Sequence, residues 1–172
     1  QHFSFNQRIT YEQIMRAERI RLERSPNAAK GYLLKRKTTG TQCPDCYDRL
    51  SRRSNSDKCL TCYGTGFEGG YWLSAECVWV EFLAAGQSQR SFNDENTGTT
   101  ENQVRPVRML NVPQVFSNDV WVQHNTDLRY VVNEFTTKIE VAGMPLVLEP
   151  VGLRQAELTD VIYHFPVDAM LR

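Results

Sequence analysis

Apolar positions recur along this chain in two rhythms. Tyr11, Ile14, Met15, Ala17, Ile20 and Leu22 fall at helical spacing, which predicts a helix over residues 11–24. Thr10 with Gln13 supplies a capping box at its start, and Ser25-Pro26 stops it. Glu12 with Arg16 and Arg19 with Glu23 are spaced to pair on its surface. From Gly31 the rhythm shortens. Gly31–Lys37 is an apolar run that turns basic, the pattern of a strand leading into the residues that follow. Trp72, Val78, Trp79, Val80, Phe82 and Leu83 make 71–85 rich in β-formers. Further strands are predicted at 107–112, 120–122, 128–132, 137–141, 146–148 and 161–165, with Pro113, Asn118-Asp119 and Gly143 as breaks.

Short strands at such spacing, separated by turn residues, predict a mainly β fold: a small antiparallel β-barrel or sandwich with an N-terminal helix. One stretch breaks the texture. Residues 86–103 are almost wholly polar, a composition that stays disordered or orders on a partner. The organisation read from the pattern is an N-terminal helical arm at 1–29, a cysteine-bearing segment with its leading strand at 30–70, and a barrel-like domain at 71–172. The arm, joined through Ser25-Pro26-Asn27, is expected to reach away from the body and, with the 86–103 loop, to touch neighbouring subunits.

The segment at 43–70 changes the picture. Cys43-Pro44-Asp45-Cys46 and Cys59-Leu60-Thr61-Cys62 are two Cys-x-x-Cys pairs with twelve residues between the inner cysteines. Two close pairs on a flexible loop deliver four thiolates to one tetrahedral ion without straining the backbone, so the spacing predicts a zinc ribbon with Cys43, Cys46, Cys59 and Cys62 as ligands. The alternatives are two disulfides or four ordinary buried thiols. A thioredoxin-like redox motif fits poorly, because turn-forming residues surround each pair where a helix would have to begin. Glycines at 64, 66, 69 and 70 let the backbone turn beside the ligands. Cys77 lacks a close partner in sequence and reads as a small core residue.

Composition adds bounds. The chain has 172 residues, 41% of them hydrophobic, enough for a real core. No apolar run approaches the ~20 residues of a membrane-spanning helix, and the apolar leader of a secreted protein is not seen at Gln1. Net charge is zero but divided: residues 1–62 carry 13 Lys or Arg against 6 Asp or Glu, and residues 63–172 carry 7 against 14. A chain polarised in this way suits stacking against other protein surfaces, or a basic end turned toward nucleic acid. Arg49, Arg52, Arg53 and Lys58 sit in the loop between the cysteine pairs, and Arg16, Arg19, Arg21 and Arg24 on the helix. Interleaved acids make a solvated or protein-contacting face the better reading of both, and a merely solvated surface with uneven charge stands beside the partner readings. His2, His124 and His164 lie outside any nucleophile or metal motif, and no phosphate-binding or dinucleotide fingerprint occurs, so the chain does not read as an enzyme.

Three stretches together resemble a known family. They are the four-cysteine ribbon ending in Cys62-Tyr63-Gly64-Thr65-Gly66-Phe67-Glu68-Gly69-Gly70-Tyr71; Asn118-Asp119-Val120-Trp121-Val122 followed by Leu128-Arg129-Tyr130-Val131-Val132; and Asp160-Val161-Ile162-Tyr163-His164-Phe165-Pro166-Val167. Taken together they look like a tailed-bacteriophage neck protein of the head-closure or stopper kind, a small β-barrel that forms a ring between portal and tail. The resemblance implies a structural virion protein assembled in the bacterial host cytoplasm. It implies a homo-oligomeric ring contacting neck, portal or tail proteins, no membrane, and DNA passing the channel without sequence-specific binding. Simple stoppers lack the ribbon, so a tail-terminator or baseplate component stands as an alternative, and a nucleic-acid-binding zinc-ribbon protein as another. In a ring, the ribbon and helix are expected at protein contacts and the barrel's loops at the channel. Cys59-x-x-Cys62-x-Gly64-x-Gly66 also resembles one repeat of the cysteine-rich region of Hsp40-type chaperones. There the motif recurs four times, whereas here the first pair is followed by Tyr47-Asp48 and no His-Pro-Asp occurs.

Overall fold

The computed structural model describes residues 4–51, 53–74, 76–83 and 104–167, so the expectation for the 86–103 loop lies outside the described residues. In chain order the elements are helix α1 (Phe5–Arg24), then β1 (Ala28–Arg36), β2 (Tyr47–Asp48), β3 (Arg53–Ser54), β4 (Tyr71–Leu73), β5 (Val78–Phe82), β6 (Val104–Leu110), β7 (Val120–Gln123), β8 (Arg129–Val141) and β9 (Met144–Gln155). A 3-10 turn, Val161–His164, follows. All strand pairings are antiparallel.

Six strands close on themselves in the order β1-β5-β6-β9-β8-β7, and β7 returns to β1. The expected mainly β class is therefore met by a closed barrel. The first strand makes closure possible because it pairs along both edges: Ala28–Gly31 meet β5, and beyond them Leu34–Arg36 meet β4, while Gly31–Leu34 meet β7 on the other side. At the seam Gly31 is required. A Cβ built there would lie 2.3 Å from the Val122 carbonyl oxygen and 2.5 Å from Trp121 Cε2, so only glycine lets the indole lie over the β1 backbone.

The barrel interior is filled by Leu33, Val80, Met109, Trp121, Tyr130 and their neighbours, and Trp121 Nε1 donates to the Val78 carbonyl at 3.1 Å. Alternate residues of the same strands face outward and are also covered. Leu34, Val120 and Val122 pack under Tyr71, Ile162, Phe165 and Val167. Burial on both faces explains why Leu33-Leu34 and Val120-Trp121-Val122 are continuous apolar runs and not alternating ones.

Three expectations are corrected. Residues 161–165 are not a strand. Asp160 caps a 3-10 turn by accepting from the Ile162 amide at 3.0 Å, and the turn puts Val161, Ile162 and Phe165 against the barrel. Buried Arg129 holds the turn by donating from Nη1 to the carbonyls of Ile162 and Phe165. Residues 128–132 and 137–141 belong to one strand, whose register against β9 shifts repeatedly between Val132 and Glu140. Such irregularities bend a strand, and they leave Asn133–Lys138 exposed.

The third correction concerns the helix. It begins at Phe5, capped by Ser4 with Gln7 as its reciprocal partner, one and a half turns before the Thr10 box. It does not reach away from the body. Tyr11, Ile14, Met15 and Leu22 pack on Leu110, Val141, Leu146 and Val147. Glu18 and Arg21 share that inner stripe, where i, i+3, i+4 spacing places them. The surface pairs expected on the helix give way to Arg8–Glu12 at 3.0 Å and Arg19–Glu76 at 3.2 Å.

The inner charges join helix to barrel in a chain. Arg21 bonds Glu81 of β5 at 2.7 Å and Glu18 at 3.0 Å, and Arg108 of β6 bonds Glu18 at 2.7 Å and Glu149 of β9 at 2.9 Å. Lys138 completes it on Glu149. The Arg108 side chain is only 13% exposed, so Arg108→Leu takes one of two cations from each of Glu18 and Glu149 in a shielded site, leaving Arg21 and Lys138 as their partners, and is expected to cost about 2 kcal/mol in chemical denaturation. Burial opposes ionisation of Glu81 and Glu149, but their Arg and Lys partners hold both below the ordinary 4.5. A depressed carboxyl contributes stability that is present above its unfolded value and lost as pH falls through its folded one. The wild type should therefore lose stability below about pH 4.5, and Arg108→Leu should flatten that dependence.

Candidate metal centre

Residues 37–70 leave the barrel between β1 and β4, whose pair Arg36 and Tyr71 closes the base of the excursion. Lys37 N donates to the Gly70 carbonyl at 3.0 Å just above it. Within the excursion the two cysteine pairs are alike. The Cys43 carbonyl accepts from Tyr47 N at 3.2 Å and the Cys59 carbonyl from Tyr63 N at 2.8 Å. The amides of Asp45 and Cys46 point at the Cys43 sulfur, and those of Thr61 and Cys62 at the Cys59 sulfur. Each pair is thus a tight turn whose N–H groups converge on its first thiol.

The structure brings all four predicted ligands together. Their Sγ atoms lie within 4.8 Å of one another, with Cys43 and Cys59 at 3.7 Å and Cys46 and Cys62 at 3.3 Å. These separations far exceed the ~2.05 Å of a disulfide, and the cysteines are free. A metal with ~2.3 Å bonds to sulfur sets tetrahedral edges of about 3.8 Å, which this group fits. Among the described residues it is the one cluster of three or more His, Cys, Asp or Glu side chains able to hold a metal ion.

Support comes from groups that the spacing of cysteines does not reveal. Thr61 Oγ1 donates to Asp45, tying one turn to the other, and Ser54 Oγ lies 3.2 Å from Cys46 Sγ. Ser54 stands on β3, which pairs with β2 as a two-stranded ribbon. Cys43 N donates to the Gly66 carbonyl at 2.9 Å and Glu68 N to the Thr41 carbonyl at 2.9 Å, holding the glycine run against the first turn. Gly70, at φ +61°, must be glycine because a Cβ would lie 2.6 Å from the Cys62 carbonyl oxygen. Tyr63 then anchors the excursion to the barrel, its ring edge-on to Phe165 at 5.2 Å.

The thiols differ in acidity. Burial pushes Cys46 up to about 12 and raises Cys43 as well. Burial also acts on Cys59, but the amides of Cys62 and Thr61 and the neighbouring thiols outweigh it and bring it to about 7. In the metal-free centre Cys43 and Cys46 therefore keep their protons at neutral pH, and a metal must displace them. Affinity should rise steeply from pH 6 to pH 8, by up to about tenfold per pH unit for each proton displaced, in a competition titration against a chelator of known pH dependence.

Other candidate residues are not gathered into the centre. Cys77 is half-buried just before β5, outside the four-cysteine group. His124 stacks edge-on against Tyr32 at 5.8 Å, His164 lies in the 3-10 turn, and His2 is outside the described residues. Of the basic residues, Arg19 and Arg21 are engaged by Glu76 and Glu81. Arg49 is exposed, while Arg52 and the Arg53 side chain lie outside the description. No described helix is long and apolar enough to cross a membrane. Comparison of the chain with models of known protein families, with curated proteins and with solved structures finds no match.

Proposed function

We propose that this protein is a structural component of a tailed-phage neck, a zinc-stapled barrel that assembles into a ring between the portal side of the head and the tail. It works by interface complementarity and not by chemistry. The observation that carries this reading is the joining of three parts: a closed barrel, a helix locked to it by partly buried ion pairs, and a four-cysteine turn pair projecting from one strand junction. A closed barrel has no continuous open sheet edge along which copies could add without limit, so it suits a defined ring. Zinc is the metal assigned, because four thiolates in tetrahedral array suit it and leave no open position for water or substrate.

The test joins metal analysis with mass. Protein purified without added metal should carry about one zinc per chain, and native mass spectrometry and negative-stain images at high micromolar concentration should show closed rings. A chain that stays monomeric at every concentration, with or without cross-linking, overturns the ring. Zinc well below one equivalent, or iron in its place, overturns the metal.

A further inference from the structure

We infer that the junction of ribbon and barrel carries a binding face for single-stranded nucleic acid, built from Trp72, Lys37, Phe116 and Lys35. This goes beyond the assembly reading and does not depend on it. Two large aromatic side chains are exposed at this junction, Trp72 at 62% and Phe116 at 53%. Each has a lysine ammonium over its ring: Lys37 Nζ lies 4.0 Å from the Trp72 centroid and Lys35 Nζ 4.4 Å from that of Phe116.

The four form one surface. Lys35 and Trp72 are directly opposed across β1 and β4, so their side chains share a face, and Lys37 follows two residues after Lys35. The same Lys35 ammonium that faces Phe116 also bonds Asp119 and the Gln114 carbonyl, which fixes Phe116 beside the strand. Lys37 Nζ is held at 2.7 Å by the Glu68 carbonyl, and among the described residues no carboxylate pairs with it. The surrounding stretch 35–58 is basic in sequence, with 7 Lys or Arg against 3 Asp or Glu.

Charge and shape together select the ligand. A single strand offers unstacked bases to the open faces of the two exposed rings and a phosphate to Lys37, while Lys35, paired with Asp119, keeps Phe116 in place. A duplex keeps its bases stacked and offers only phosphate. A protein partner would favour aromatic anchors with few lysines, since lysine is depleted at protein interfaces. The ribbon then has a second consequence besides its own stability. Gly69 N donates to the carbonyl of Thr61 in the second cysteine turn and Glu68 N to that of Thr41, and the Glu68 carbonyl in turn holds Lys37 over Trp72.

The experiment is a fluorescence titration of the metal-loaded full chain with oligothymidylate at 50 mM salt, using an equal-length duplex and polyglutamate as competitors. Quenching of tryptophan emission is expected on the single strand. Affinity should fall about threefold between 50 and 200 mM salt for the one phosphate that Lys37 neutralises. Trp72→Ala should weaken binding about tenfold, and Trp72→Phe, which keeps a ring to stack, should restore most of it. Lys37→Gln should lower the salt slope by about 0.7. Trp72 is exposed, so the variants should keep the wild-type zinc content and circular dichroism, which are measured alongside. Absence of quenching and binding overturns the inference. So does duplex binding as tight as that of the single strand, displacement by polyglutamate, which would indicate a protein partner, or equal affinity of Trp72→Ala and wild type.

Discussion

Replacing Cys59 by Ser, or removing the metal with a chelator, is expected to open residues 37–70 to protease while the barrel stays folded. A four-thiolate zinc turn pair contributes on the order of 10 kcal/mol at neutral pH, and metal-free zinc modules of this size unfold. The excursion has little else to hold it: its buried side chains beyond the cysteines are few, and its β2–β3 ribbon is two residues long on each side. Among the described residues, the barrel interior draws on none between 37 and 70. Its base pair, Arg36 with Tyr71, closes the excursion whether that loop is ordered or not, and loop-closure entropy grows only slowly with length. The main loss to the barrel is the Tyr63 contact with Phe165 on its outer face. Limited proteolysis with mass spectrometry should therefore place the new cuts within 37–70, and a thermal melt of the remainder should fall by only a few degrees. Collapse of the whole fold in Cys59→Ser would show that the turn pair and barrel form one cooperative unit.

The four-cysteine cluster was legible because its chemistry is local. Four thiolates, two short spacings and one loop specify a site with little need of the rest of the chain. The barrel was legible as a class from short apolar runs with turns between them, but its closure was not. Gly31–Lys37 reads as a strand leading into the ribbon, and it does lead there. That the same strand also pairs with residues 120–123, far along the chain, leaves no mark in a local pattern. The Val161–Phe165 run failed for a related reason. A short apolar run has no period of its own, and Asp160, a capping residue, was the signal against a strand. On the helix, the i, i+4 spacing of Glu12 with Arg16 and Arg19 with Glu23 points to surface pairs, whereas the pairs that join helix to barrel come from Glu18 and Arg21, whose spacing from Tyr11, Ile14 and Leu22 puts them on the inner stripe.

Gly31→Ala is expected to cost about 3 kcal/mol, a large share of the ~5–15 kcal/mol that holds a domain together, and to lower the melting temperature by about 10 °C. The added methyl has nowhere to go. It meets a backbone oxygen at 2.3 Å and the indole at 2.5 Å, so either β1 parts from β7 or Trp121 leaves the interior. Trp121→Ala alone should cost about 3–5 kcal/mol through the cavity it opens, and it also removes the donor to the Val78 carbonyl. The pair separates the two contacts. If the indole alone opposed the methyl, Trp121→Ala would relieve Gly31→Ala and the double variant would match the single. Because the Val122 oxygen remains, the double variant should be less stable than Trp121→Ala, with the two costs adding only in part. Urea denaturation of the four proteins measures this directly. A Gly31→Ala protein within about 0.5 kcal/mol of wild type would mean that β1 and β7 do not close the barrel at this residue.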